Sequence, residues 1–229
     1  MSRSSRALLV VAALLTACAS DAPGSVLDQT QRYDESIELP VPDTTGSVPL
    51  EQVVAQRRSR REYADEPLPL AMIGQLLWAG QGITDDAGHR TVPSAGARYP
   101  LELYAVTPEA LMHYLPEGHR IEQRADDTTL SELGTVAFDQ EFVSAAPVVI
   151  LIAGVVARTE AEYGAIGGDL MNREAGHAAQ NILLQATALD LAAVPVGGFD
   201  PADVGRLVAL PPGHQVLYLI PVGFAATDP

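Results

Sequence analysis

The run V-V-I-L-I-A-G-V-V, Val148 to Val156, decides the fold. Nine uncharged apolar or small residues, rich in β-branched side chains, read as a strand buried on both faces. Helices and further strands lie to either side of it. Upstream, Pro69 to Ala79 sets Leu70, Ile73, Leu76, Leu77 and Gly80 at helical spacing, and Pro49 to Gln56 reads as a shorter helix. Leu101 to Val106 alternates like a strand. Leu111 to Arg124 reads as a hairpin turning at Pro116-Glu117-Gly118. Downstream, Glu174 to Leu191 is the longest helix, Ala192 to Val196 is a short strand stopped by Gly197-Gly198, and Val216 to Val222 is the last strand. Without regular βα alternation or internal repeats, the class is α+β.

The N-terminus reads as an address. Arg3 and Arg6 precede an apolar stretch, Ala7 to Leu15, followed by Leu15-Thr16-Ala17-Cys18. A basic start, a short apolar run and small residues before the cut describe a secretory signal, too short to span a bilayer as a helix. L-T-A-C resembles the bacterial lipobox, which implies lipidation of Cys18 and anchoring of an exported protein to the cell membrane. The alternative is an ordinary signal peptide with an incidental cysteine. Cys18 is the chain's one cysteine, so no disulfide within the chain is possible. Residues 1–17 are thus expected to be removed. Residues 18–47, rich in Ser, Thr, Asp, Pro and Gly, are expected to form a flexible linker, and 48–229 a single folded domain.

Charge then narrows the chemistry. The formal net charge is −15, yet Arg57-Arg58-Ser59-Arg60-Arg61 holds four of the fourteen arginines. An acidic surface repels nucleic acid, whereas a tight arginine cluster suits one compact anion such as a phosphate. A solvated, salt-bridged helix end is the other reading of the same residues. There is no lysine, which excludes Schiff-base chemistry and a P-loop. The glycine stretches Ser94-Ala95-Gly96, Gly167-Gly168 and Gly197-Gly198 could each approach a ligand, although glycines in such places are more often turn residues. None fits the G-x-G-x-x-G dinucleotide pattern. The five histidines lack metal-ligand spacing, so no metal is expected. Ser94 has no nucleophile-elbow context.

Several stretches in order carry a resemblance: R-R-S-R-R-E-Y (57–63), D-E-P-L (65–68), L-L-W-A-G-Q-G-I-T (76–84), R-T-V-P-S-A-G-A-R-Y-P-L-E-L-Y (90–104), A-P-V-V-I (146–150), E-A-G-H-A-A-Q-N-I-L-L-Q-A (174–186) and V-P-V-G-G-F (194–199). Together, over roughly residues 48–223, the chain resembles the FMN-dependent nitroreductase superfamily and is most similar to its azoline-dehydrogenase (SagB/ThcOx-type) branch. The resemblance implies a central, mostly antiparallel sheet flanked by helices, and a homodimer with FMN at the subunit interface. It implies that Arg57, Arg58 and Ser59 hold the phosphate and that Arg61 faces the ribityl chain or pyrimidine edge. Pro93, Ser94, Ala95 and Gly96 would approach the ribityl or ring by backbone. Asn181 would lie near the flavin or dimer seam, and Pro195, Val196, Gly197 and Gly198 beside the hydride-accepting nitrogen. Gly197 stands where many relatives carry an acid, and the tail from Phe224 lacks the base that often completes the phosphate site.

The implied activity is hydride transfer between FMN and a small organic substrate, with no obligatory acid or base standing out. Export separates the protein from NAD(P)H and favours a dehydrogenase or oxidase over the alternative, an NAD(P)H-dependent nitro- or quinone reductase. A non-enzymatic flavin-binding module is the second alternative. Tyr99 and Arg98 are the substrate-facing candidates, with a surface salt bridge as the simpler role for Arg98. His177 reads equally as helix packing, and Trp78 as core.

Overall fold

The computed structural model describes residues 33–126 and 129–226. Its strands are β1 (Glu35–Glu38), β2 (Leu101–Val106), β3 (Ala110–Leu115), β4 (Arg120–Ala125), β5 (Val148–Val155), β6 (Leu191–Ala193) and β7 (His214–Phe224). Its helices are α1 (Leu50–Gln56), α2 (Leu70–Gln81), α3 (Thr129–Val136), α4 (Glu141–Ser144), α5 (Val156–Tyr163), α6 (Gly167–Ala188) and α7 (Pro201–Leu207). The strands form one sheet in the order β1-β4-β3-β2-β5-β7-β6, and every neighbouring pair is antiparallel.

The central run behaves as its composition requires. β5 lies between β2 and β7. Val148, Ile150 and Ile152 enter a core shared with α2 and α6. Val149, Leu151 and Ala153 enter a second core, shared with α3, α4 and α7. Period-two alternation thus feeds two apolar layers from one strand. α2 packs closely because Gly80 has no side chain. A Cβ there would sit 2.8 Å from Leu103 Cδ1 and 3.0 Å from Ile182 Cδ1.

The sequence expectations need several corrections. Residues 33–47, expected within the flexible linker, contribute β1 to the sheet edge, where Ile37 pairs with Ile121 and Leu39 is buried. Val156 begins α5 rather than ending the strand, and Leu191 opens β6 rather than closing the long helix. Gly167 and Gly168 are the first residues of α6, not a turn. A Cβ on Gly167 would lie 2.7 Å from the Glu160 backbone nitrogen, so glycine lets α5 and α6 meet. α7 went unread although its signals are present: Asp200 caps the N–H groups of Ala202 and Asp203, and Pro201 opens the helix.

Candidate active site

Beyond α1 the chain is extended and lies against the end of the sheet. The Arg60 N–H donates to Ala193 O at 3.1 Å, and Tyr63 bridges to Ala225. The arginine segment is therefore fixed beside the residues that follow β6. Val196 exchanges two hydrogen bonds with Leu219, of 2.7 and 3.0 Å. The Gln140 amide donates to Gly198 O at 2.7 Å and to Ala137 O at 2.6 Å, which fixes the far end of the 194–198 loop.

Contacts divide the arginines. Arg58 and Arg60 line one polar hollow of about 400 Å³ with Gln56, Thr187 and Asp190. Arg58 Nη1 donates to Ala55 O and Arg57 O, closing the last turn of α1, and Arg60 is 3.9 Å from Asp190. Arg61 points elsewhere, its guanidinium 5.3 Å from the centre of the Phe142 ring. Among the described residues, the side chains of Arg57, Ser59 and Arg61 have no hydrogen-bond or ion-pair partner, and neither do the N–H groups of Gly197 and Gly198. A Cβ on Gly197 would meet nothing within 4 Å. Among the described residues, two guanidiniums, a hydroxyl and two amide donors are thus left without partners on the arginine segment, which the Arg60 N–H ties to the end of β6, and on the 194–198 loop. That donor set fits a phosphate-bearing ring compound.

The other expected contacts form a second group. Thr91 to Tyr99 lies between α2, α5 and α6. Asn181 donates to Thr91 O at 3.1 Å and borders a hollow of about 730 Å³ with Trp78 and Gln75. Pro93 is exposed, Ser94 and Ala95 are half-buried, and Gly96 adopts φ +57°, where a Cβ would also lie 2.7 Å from the Tyr163 hydroxyl. Arg98 pairs with Glu162, as the salt-bridge reading expects. Tyr99 is held at three points. Its N–H donates to Ser94 Oγ at 2.8 Å, its carbonyl accepts from Arg158 at 3.0 Å, and Arg90 stacks on its ring at 4.4 Å. No hydrogen bond or ion pair among the described residues joins this group to the arginine segment.

Sequence reasoning did not single out Gln140, Phe142, Arg90 or Glu174. Glu174 had a visible signal: a carboxylate in the buried stripe Met171, Ala175, Ala178, Ile182 of α6. Burial pushes it up to about 7, against the opposing pulls of Ser94, Arg90 and Gln81.

A wholly antiparallel sheet between helical layers defines an α+β protein, and cationic and amide donors stand without partners among the described residues near its edge. Comparison with known proteins is specific. The model of the Nitroreductase family matches residues 54–224. A predicted nitroreductase of Methanocaldococcus jannaschii is 38% identical over 195 residues, covering 82% of this chain and 97% of its own. Among solved structures, a nitroreductase-like protein of Ralstonia eutropha superposes with a TM-score of 0.76 at 29% identity, covering 84% of this chain and 90% of that one. One from Desulfovibrio desulfuricans, solved in complex with FMN, shares the fold with a TM-score of 0.59 at 24% identity, covering 79% and 88%. The chain belongs to the nitroreductase family and is a flavin-dependent oxidoreductase.

Proposed function

We propose that this protein is an exported, lipid-anchored oxidoreductase that uses FMN as a dehydrogenase or oxidase of a small organic substrate. The carrying observation is that, among the described residues, the side chains of Arg57, Ser59 and Arg61 and the N–H groups of Gly197 and Gly198 have no hydrogen-bond or ion-pair partner, while the Arg60 N–H ties the arginine segment to Ala193, just ahead of the 194–198 loop. In this reading Arg57 and Ser59 hold the phosphate of FMN, and Arg61 favours the negative charge of the reduced ring. The Gly197 and Gly198 amides donate to the ring edge, with Pro195 and Val196 shaping the loop. FMN, when bound, supplies the hydride chemistry, and the chain supplies orientation and charge. Arg58, occupied with the α1 carbonyls, contributes to the local field and to the seating of the segment.

The second group, Pro93 to Gly96 with Asn181, Tyr99 and Arg98, completes the pocket from a second copy of the chain. The separation of the two groups within one chain supports that homodimer. Lipid attachment at Cys18 rests on L-T-A-C, which lies outside the described residues. Among the described residues no helix is long and apolar enough to cross a membrane. The direction of electron flow rests on export away from NAD(P)H and on the azoline-dehydrogenase spelling of the motifs. An organic donor reduces the flavin, and dioxygen or a quinone re-oxidises it.

Anaerobic stopped-flow mixing with NADH and NADPH tests that direction. Slow, incomplete bleaching of bound flavin is expected. Rapid, saturable bleaching by either nucleotide would establish the NAD(P)H-dependent reductase instead.

A further inference from the structure

Tyr99 is set where its own stretch of chain does not favour it. Its φ is +44°, an outlier for a bulky residue. Pro100 follows it, and a proline biases the residue before it toward extended, negative φ. Gly96 and Ala97 in the same turn also have positive φ, at 57° and 52°. Strain of this kind persists only where the surroundings over-determine it.

Much of that surrounding comes from β5 and α5. Val155, the last residue of β5, donates its N–H to Pro100 O at 2.8 Å. Arg158 of α5 donates from Nη1 to Tyr99 O at 3.0 Å, and Glu162, one helical turn on, pairs with Arg98. The two α5 contacts are not equal. The Arg98–Glu162 side chains are 49% and 40% exposed, so their pair contributes little on its own. Arg158, by contrast, is braced from the sheet. Its Nη2 donates to Glu102 Oε1, and Glu102 Oε2 accepts from His113 Nε2 at 3.0 Å. The Glu102 and His113 side chains are only 15% and 17% exposed. His113 stands opposite Tyr104 across the β2–β3 pair, with its ring stacked on that of Tyr104 at 4.7 Å and on that of Tyr33 at 5.8 Å. The sheet therefore holds one arm of the Arg158 guanidinium, and the other arm reaches the Tyr99 carbonyl. Because the guanidinium is a rigid planar fork, fixing one arm directs the other.

We propose that Arg158 is a positioning residue for the substrate side of the flavin pocket: braced by Glu102 and His113, it holds the Tyr99 carbonyl and so fixes how the Tyr99 ring is presented. Arg90 lies over that ring at 4.4 Å, so a shift of the backbone at Tyr99 displaces an aromatic surface and disturbs the cation stacked on it. The inference rests on the reading above that Tyr99 faces the substrate. It involves no residue of the arginine segment.

Two measurements test it. The first, on the full chain, needs neither flavin nor substrate: hydrogen exchange of the backbone amides from Ala95 to Tyr99, whose Tyr99 N–H donates to Ser94 Oγ at 2.8 Å. R158A and E102A should each speed exchange at Tyr99 by about tenfold, the loss of one charge-assisted bond, and E162A by less. Wild-type exchange in R158A overturns the positioning role. The second takes the holoprotein reduced with dithionite and mixes it with 1,4-benzoquinone or with dioxygen. The quinone must dock in the pocket, whereas dioxygen needs no oriented site. The ratio of quinone to dioxygen re-oxidation rates at low quinone should fall by about tenfold in R158A. It should fall as far in Y99A and no further in R158A/Y99A, because the two residues act as one unit. Additive losses in the double variant overturn the proposal. Fast exchange in R158A together with a wild-type ratio in Y99A overturns the reading that Tyr99 faces the substrate, and with it the pocket role of Arg158.

Discussion

The backbone N–H of Arg60 donates to the carbonyl of Ala193 at 3.1 Å, and this contact fixes the arginine cluster against the end of the sheet. It sets the segment 57–61 beside the end of β6. Arg58 and Arg60 share one hollow, while Arg61 lies over the Phe142 ring and has no hydrogen-bond or ion-pair partner among the described residues.

The division of the arginines predicts unequal effects on FMN affinity. R57A and R61A should each lose a charge-assisted contact of about 1.5–3 kcal/mol, roughly tenfold or more in Kd. R58A should affect thermal stability more than affinity, because it uncaps the carbonyls of Ala55 and Arg57. Flavin titrations of the three variants check the order, and equal losses in all three would contradict it.

Glu174 predicts a pH dependence of folding without flavin. Its pKa rises from the ordinary 4.5 to about 7 on folding, so the folded chain holds this proton more tightly than the unfolded one. The associated stability is full below about pH 4.5 and is lost as pH rises through about 7, an effect on the order of 3 kcal/mol. Denaturant unfolding across that range should show the decline in wild type and not in E174Q.

Gly223 of β7 should tolerate no side chain. A Cβ there would lie 2.6 Å from Pro147 Cδ and 3.1 Å from Tyr63 Cδ1, and the proline ring cannot yield. G223A should cost about 1–3 kcal/mol in thermal or denaturant unfolding. By displacing Tyr63 it should also weaken FMN binding. Wild-type stability in this variant would show that the contact is looser than described.

The two separated contact groups predict a dimer that encloses the flavin. Sedimentation of the full chain in detergent should give a dimer that releases FMN on dilution to monomer. A monomer that retains tightly bound FMN would contradict the shared pocket. Mass analysis of the same material should place lipid on Cys18 at the mature N-terminus. A C18S chain should lack it.

Legibility in the sequence followed the strength of local pattern. β5, α2 and the body of α6 were readable because their apolar residues repeat at the period of the element. β1 was not, because Glu35-Ser36-Ile37-Glu38 offers a single apolar residue and owes its place to pairing with β4. The short helix α4 carries too few residues for a period. Charge concentration located the arginine segment, yet it could not show which arginines share a side. That depends on one backbone hydrogen bond to a residue more than a hundred positions away. Glu174 was legible only as a carboxylate in the apolar stripe of α6, and that it is buried follows from tertiary packing.

The central claim is that the open donors of Arg57, Ser59, Arg61, Gly197 and Gly198 form an FMN site. The most direct measurement is the visible absorption of the purified full chain, followed by FMN titration of the stripped protein in wild type and in the R57A/R61A double variant. Flavin absorption should co-purify at one FMN per chain, and the double variant should no longer retain it. A colourless wild-type protein that binds no added FMN, or a double variant that binds it as tightly as wild type, would contradict the account.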